Sequence, residues 1–153
     1  MNRIQVDPGS ALSIMPRRVM QHLGIPTHRL SPTQTTIYGF NANQTRPMGK
    51  IKPKCQIGSL KSEVTCYIID ADTSYNLLLG RPWIHRNSIV PSTLHQVMKY
   101  IDGSGNVQTL IAESVTGIGN HNLHSKCNRM EIITCIASVT GINNWNPLLL
   151  LLV

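Results

Sequence analysis

Near its N-terminus the chain runs Ile4-Gln5-Val6-Asp7-Pro8-Gly9-Ser10-Ala11-Leu12-Ser13-Ile14-Met15-Pro16, an alternating, strand-like start that breaks at Asp7-Pro8-Gly9-Ser10. Asp bonds to its own backbone two residues on, Pro presets φ, Gly tolerates unusual dihedrals and Ser caps locally, so all four residues favour a tight turn. An acid is thereby presented at the end of a strand. Downstream, Pro16 suits the first position of a helix, Val19, Met20 and Leu23 give that helix an apolar stripe, and Gly24 closes it.

Beyond this segment the β period dominates. Thr33 to Phe40 is β-prone, Asn41-Ala42-Asn43-Gln44 is polar and turn-rich, and from Lys50 to Ile57 even positions are polar and odd ones apolar. The expectation is two strands joined by a projecting hairpin. Gly58 to Lys61 then turns the chain into Glu63–Asp70, where Val64, Cys66 and Ile68 alternate with Glu63, Thr65 and Tyr67 as a third strand paired with the second. Tyr75 to Ile84 is an apolar run stopped by Gly80 and Pro82, expected to be a buried strand delivering its end to a turn. Val90 to Tyr100 and Val107 to Ala112 flank Asp102-Gly103-Ser104-Gly105-Asn106, which predicts a further hairpin.

The 153 residues fit one domain with a tail. A hydrophobic content of 41% with only 14% charged residues excludes a disordered polyampholyte, and 11 Gly with 9 Pro disfavour long helices. The formal charge of +7 is scattered without a block of like charges, and aromatics are only 5%, so specific nucleic-acid binding is not expected. Cys55, Cys66, Cys127 and Cys135 form no Cys-x-x-Cys pair, and Met1 to Ser10 has no apolar signal core. Reduced thiols and an intracellular, cytoplasmic setting are the expectation. The apolar run Pro147 to Val153 is far shorter than the roughly 20 residues of a transmembrane helix, and no membrane partner is expected.

Four segments together carry a family likeness. VDPGSALSIMP, TTIYGFNANQTRPMGKI, SYNLLLGRPWIH and VPSTLHQVMKYI, in that order, resemble the protease region of plant gypsy-type LTR-retrotransposon polyproteins, a retropepsin-like aspartic protease. The resemblance covers residues 4 to about 112. A lone Asp-x-Gly is common in any turn; the ordered set is far more specific.

The resemblance implies a mainly β, closed-barrel-like fold with one or two short helices over residues 1–112, and leaves 113–153 as a poorly ordered extension. It implies an endopeptidase acting as a homodimer on an extended polypeptide, one Asp per protomer, with no metal and no organic cofactor. In such a dyad two adjacent carboxylates share a proton and activate a water, so the pair owns the apparent pKa values. Carried onto this chain, Asp7 is the catalytic carboxylate, Gly9 permits close backbone approach and Ser10 is the small polar residue after it. The interval Gly39 to Gly49 is the substrate-covering flap, with Gly39, Phe40, Asn41, Ala42 and Asn43 as its substrate-binding residues. Leu78-Leu79-Gly80 matches the family's apolar-apolar-Gly segment beside the catalytic loop, and Arg81 is a candidate for bracing that loop.

Two departures bear on activity. Pro8 stands where the family usually has Thr or Ser, whose hydroxyl bonds to the partner loop; Pro offers neither hydroxyl nor N–H. Only Met1 to Val6 precede Asp7, so the family's usual N-terminal strand is expected to be missing. The alternative is a non-catalytic remnant that keeps peptide binding or dimerisation only. His121, His124, Cys127 and Cys135 match no zinc module by spacing, and His22, His28, His85 and His95 show no Ser or Cys nucleophile constellation. Ser114-Val115-Thr116-Gly117-Ile118 recurs as Ser138-Val139-Thr140-Gly141-Ile142, but two copies make no solenoid.

Overall fold

In the computed structural model, which describes residues 1, 3–39, 43–112 and 130–132, β1 (Ile4–Asp7) ends on the acid of the turn as its composition dictates. Ile4 and Val6 point into the core. Next comes β2 (Ser13–Pro16), a strand the periodicity did not single out. It forms because it is paired on both sides by distant segments. Pro16 is its last residue and the N-cap of α1 (Arg17–His22), not the first helical residue, because pairing opposite Ile69 holds it extended at ψ 144. Val19 and Met20 are the helix's buried face, and Gly24 terminates the segment at φ +68, a left-handed conformation that glycine adopts without strain.

The expected long strand over Lys50 to Ile57 is divided. β5 (Gly49–Ile51) and β6 (Lys54–Ile57) flank Lys52-Pro53, and their partner is divided likewise into β7 (Leu60–Glu63) and β8 (Cys66–Ile69). Both halves keep one register: Ile51 lies opposite Cys66, and Lys54 opposite Glu63. The ladder breaks where Pro53 has no N–H to contribute, and the Val64 N–H bridges the break by donating to the Pro53 carbonyl at 3.0 Å. The predicted alternation survives the break, with Cys55, Ile57, Val64, Cys66 and Ile68 all buried.

The apolar run forms β9 (Leu77–Gly80), buried throughout. Instead of a simple turn it feeds α2 (Arg81–Arg86), whose first turn accepts Pro82 because no helical N–H is needed there. Trp83 and Ile84 pack inward, and the Trp83 indole Nε1–H donates to Ser62 Oγ at 2.9 Å. The C-terminal hairpin appears as expected between β11 (Val97–Ile101) and β12 (Val107–Ile111), with β10 (Val90–Ser92) on the other side of β11. Asp102 organises its turn by accepting the Ser104 and Asn106 N–H groups, each at 2.9 Å. The Gln108 side-chain bond is the main cause holding the Asp102 carboxyl below its ordinary range.

One six-stranded sheet carries the N-terminal acid. Its order is β13-β1-β9-β2-β8-β5, with β13 being Met130–Ile132, which lies antiparallel to β1. Apart from those three residues, the extension over 113–153 lies outside the described residues, as do the Ser114/Ser138 repeat and the His121, His124, Cys127 and Cys135 set. Residues from β1, β2, β6, β8, β9, β11 and both helices share one apolar core around Met15, Met20, Ile57, Ile68, Leu79 and Met98. The architecture is mainly β with two short helices, as expected.

Candidate active site

Parallel pairing sets Asp7 directly opposite Gly80, with Gln5 opposite Leu78 and Val6 opposite Leu79. β9 thus runs between β1 and β2, two strands joined by the acid-bearing loop. The loop itself is a tight turn: the Ser10 N–H donates to the Asp7 carbonyl at 3.1 Å. Pro8 occupies the second position of that turn, where a fixed φ is favourable and no N–H is called on. The Gly9 N–H donates to Asp7 Oδ1 at 2.9 Å, orienting the half-buried carboxyl, and the Ser10 hydroxyl donates to the Leu12 carbonyl at 2.8 Å.

Behind the loop the packing is very close. A Cβ on Gly80 would lie 2.3 Å from the Leu12 carbonyl oxygen and 2.9 Å from that of Ser10. Only glycine lets β9 approach the loop at this distance. The Arg81 N–H donates to the Ser10 carbonyl at 2.9 Å, so Arg81 braces the loop through its backbone while its side chain is exposed. The sequence did not point to Ser13. Its side chain is 3% exposed, and its Oγ accepts the Gly80 N–H at 3.0 Å. The available signal was a small polar residue inside the apolar run Leu12-Ser13-Ile14-Met15, which requires a partner once buried.

The expected flap is a separate ribbon, β3 (Ile37–Tyr38) paired with β4 (Gln44–Thr45). Gly39 and Asn43 close its described part through the Gly39 N–H to Asn43 carbonyl bond at 3.0 Å, while Phe40, Asn41 and Ala42 lie outside the described residues. One histidine meets a serine, His95 Nδ1 and Ser92 Oγ being 2.8 Å apart, at an exposed position. The His95 N–H also leans toward Ser92 Oγ, at 3.4 Å, so the contact belongs to the exposed turn between β10 and β11. Cys55 and Cys66 are free and buried; burial pushes the Cys55 thiol up to about 12 and raises that of Cys66 as well, with the neighbouring Cys55 adding to the effect.

The acid in its Asp-Pro-Gly-Ser turn and the apolar-apolar-Gly strand behind it both lie within the stretch that a known family model matches. The family model described as Aspartyl protease matches residues 3–83, just over half of the chain. The chain belongs to the aspartyl protease family. This aspartyl protease domain is retropepsin-like in fold. Among solved structures it is similar to the retroviral protease-like domain of Ddi1 from Leishmania major, at 19% identity and a TM-score of 0.50, over 71% of this chain and 83% of that one. It is also similar to a retropepsin-like aspartic protease from Rickettsia conorii, at 20% identity and a TM-score of 0.42, over 57% of this chain and 64% of that one. None of the curated proteins matches the chain. Family membership implies a peptide substrate.

Proposed function

We propose that the chain is an aspartic endopeptidase domain of a plant gypsy-type LTR-retrotransposon polyprotein, working as a homodimer with Asp7 of each protomer in a shared site. The observation that carries this reading is the Asp7 carboxyl itself: it ends β1, is oriented by the Gly9 N–H at 2.9 Å, and is backed by Gly80. A single acid of this kind per chain makes half of a dyad. Two such carboxylates at close quarters hold one proton between them. The ionised one removes a proton from a water whose oxygen attacks the scissile carbonyl carbon, and the protonated one hydrogen-bonds the carbonyl oxygen. Proton transfer to the amide nitrogen then releases the amine.

The substrate is an extended polypeptide lying between the β3–β4 ribbon and the Asp7 loop. Backbone hydrogen bonds supply its affinity and side-chain pockets its preference. Closure of the ribbon over the peptide excludes water from the reacting carbonyl, with Gly39, Phe40, Asn41, Ala42 and Asn43 proposed as the substrate-binding residues. The chemistry calls for no metal and no organic cofactor, and the site of action is the cytoplasm.

Pro8 supports a second reading. Without a hydroxyl or N–H at this position the loop lacks the cross-protomer bond that the resemblance implies, and a non-catalytic remnant retains peptide binding or dimerisation alone. Peptide cleavage near pH 5 by the purified chain, compared with Asp7→Asn and accompanied by sedimentation, separates the two. Cleavage by a dimer that disappears in Asp7→Asn supports the endopeptidase; a folded chain that cuts nothing, with or without Pro8→Thr, rejects it.

A further inference from the structure

Among the described residues, two polar side chains are buried, Gln5 and Ser13. Gln5 Oε1 has no hydrogen-bond partner, whereas Ser13 is engaged at a position that bears on the site. β2 and β9 are antiparallel with Ile14 opposite Leu78. Continuing that register by two residues brings Gly80 alongside Leu12. There the Gly80 N–H is taken by Ser13 Oγ, a side-chain oxygen in place of a main-chain acceptor.

We propose that Ser13 is a positioning residue for the Asp7 carboxyl, acting through Gly80. Two hydrogen bonds tie the end of β9 to the segment leaving the acid loop: the Arg81 N–H to the Ser10 carbonyl at 2.9 Å, and the Gly80 N–H to Ser13 Oγ at 3.0 Å. The first is main chain to main chain. The second alone depends on a side chain, and it holds the residue that sits opposite Asp7 across the sheet. It also holds the closest approach in the loop, where the α-carbon of Gly80 is packed against the Leu12 and Ser10 carbonyls. Loss of the hydroxyl leaves a buried N–H unpaired, and the Gly80 backbone relieves this by shifting away from the loop. A shift of the acid by a fraction of an ångström has little consequence for peptide affinity and a large one for reaction geometry.

The proposal rests on the endopeptidase reading, and its test separates the two. Ser13→Thr and Ser13→Val have the same shape, so packing strain is common to both and only the first keeps the hydroxyl; Ser13→Ala removes the hydroxyl without adding volume. The expected result is a kcat roughly ten- to a hundredfold lower for Ala and Val than for wild type, with KM within about twofold, and recovery in Thr relative to Val. Equal kcat in Thr and Val, or wild-type kcat in Ala, overturns it.

If the wild-type chain cuts no peptide, the endopeptidase reading is what fails, and positioning is read from the Gly9 amide proton, which reports directly on Asp7 Oδ1. In folded Ser13→Ala protein a displaced Gly9 resonance, restored in Ser13→Thr, supports the role. A resonance superposable on wild type rejects it.

Discussion

Asp7 and Gly80 face each other across the parallel pairing of β1 and β9, so the acid of the turn is backed by the one residue whose α-carbon can reach the Leu12 carbonyl. The catalytic proposal and the stability of the loop therefore meet at one contact.

Gly80→Ala inserts a methyl group 2.3 Å from a backbone oxygen, where nothing flexible can yield. The cost arises from space alone, since Gly80 has an ordinary extended backbone at φ −91. A loss of about 3 kcal/mol is expected, read as a lower urea midpoint with unchanged slope. A variant within about 0.5 kcal/mol of wild type would mean that the β9–loop approach is looser than described.

Pro8→Thr should separate stability from activity. At the second position of the turn Pro reduces the freedom of the unfolded chain, so its removal is expected to cost about 0.5–1 kcal/mol. If the loop otherwise has sound geometry, the restored hydroxyl is expected to raise kcat/KM by on the order of tenfold. Thermal melts and peptide hydrolysis on the same preparation check both, and a more stable but no more active variant contradicts the argument.

Trp83 ties α2 to β7 through its indole N–H on Ser62 Oγ at 2.9 Å. Trp83→Phe keeps most of the apolar contact and is expected to lose about 1 kcal/mol of hydrogen bonding together with some packing. Trp83→Ala also opens a cavity in the core and is expected to cost about 3–5 kcal/mol. In a double-mutant cycle with Ser62→Ala, a coupling energy indistinguishable from zero would show that the bond contributes nothing.

Cys55 and Cys66 couple stability to alkaline pH. Burial raises both thiols above their ordinary value of 9.0, Cys55 to about 12. Above pH 9 the unfolded chain releases these protons while the folded chain retains them, so stability is full below about 9 and falls as pH rises from there toward 12. The slope is at most about 1.4 kcal/mol per pH unit for each thiol. Urea unfolding at pH 7 and pH 10, repeated on Cys55→Ala/Cys66→Ala, checks this; an undiminished pH slope in the double variant would assign it to other groups.

Local chemistry made much of the molecule legible. Asp7-Pro8-Gly9-Ser10 is a turn because all four residues favour one, and the odd-even alternation from Lys50 to Ile57 named the buried face correctly even though Pro53 divides the strand. The Leu77–Gly80 strand was visible as an apolar run, and the ordered motifs pointed to the family that the match over residues 3–83 establishes. β2 escaped notice because four residues ending in Pro have little strand preference of their own; they are held by β8 and β9 on either side. α2 was missed as a helix because Gly80 and Pro82 read equally as a stop or as a helix start.

By itself the sequence determined which residues turn, which alternate and which acid ends a strand, since these depend on neighbours within a few positions. The tertiary structure decided what stands behind that acid. The bond from the Gly80 N–H to Ser13 Oγ joins residues 67 apart, and periodicity names the face a side chain takes but not the distant strand it meets there. Long-range pairing is chosen by the closure of the whole core around Met15, Ile68 and Leu79, so Ser13 acquires its partner only when β9 comes to lie between β1 and β2.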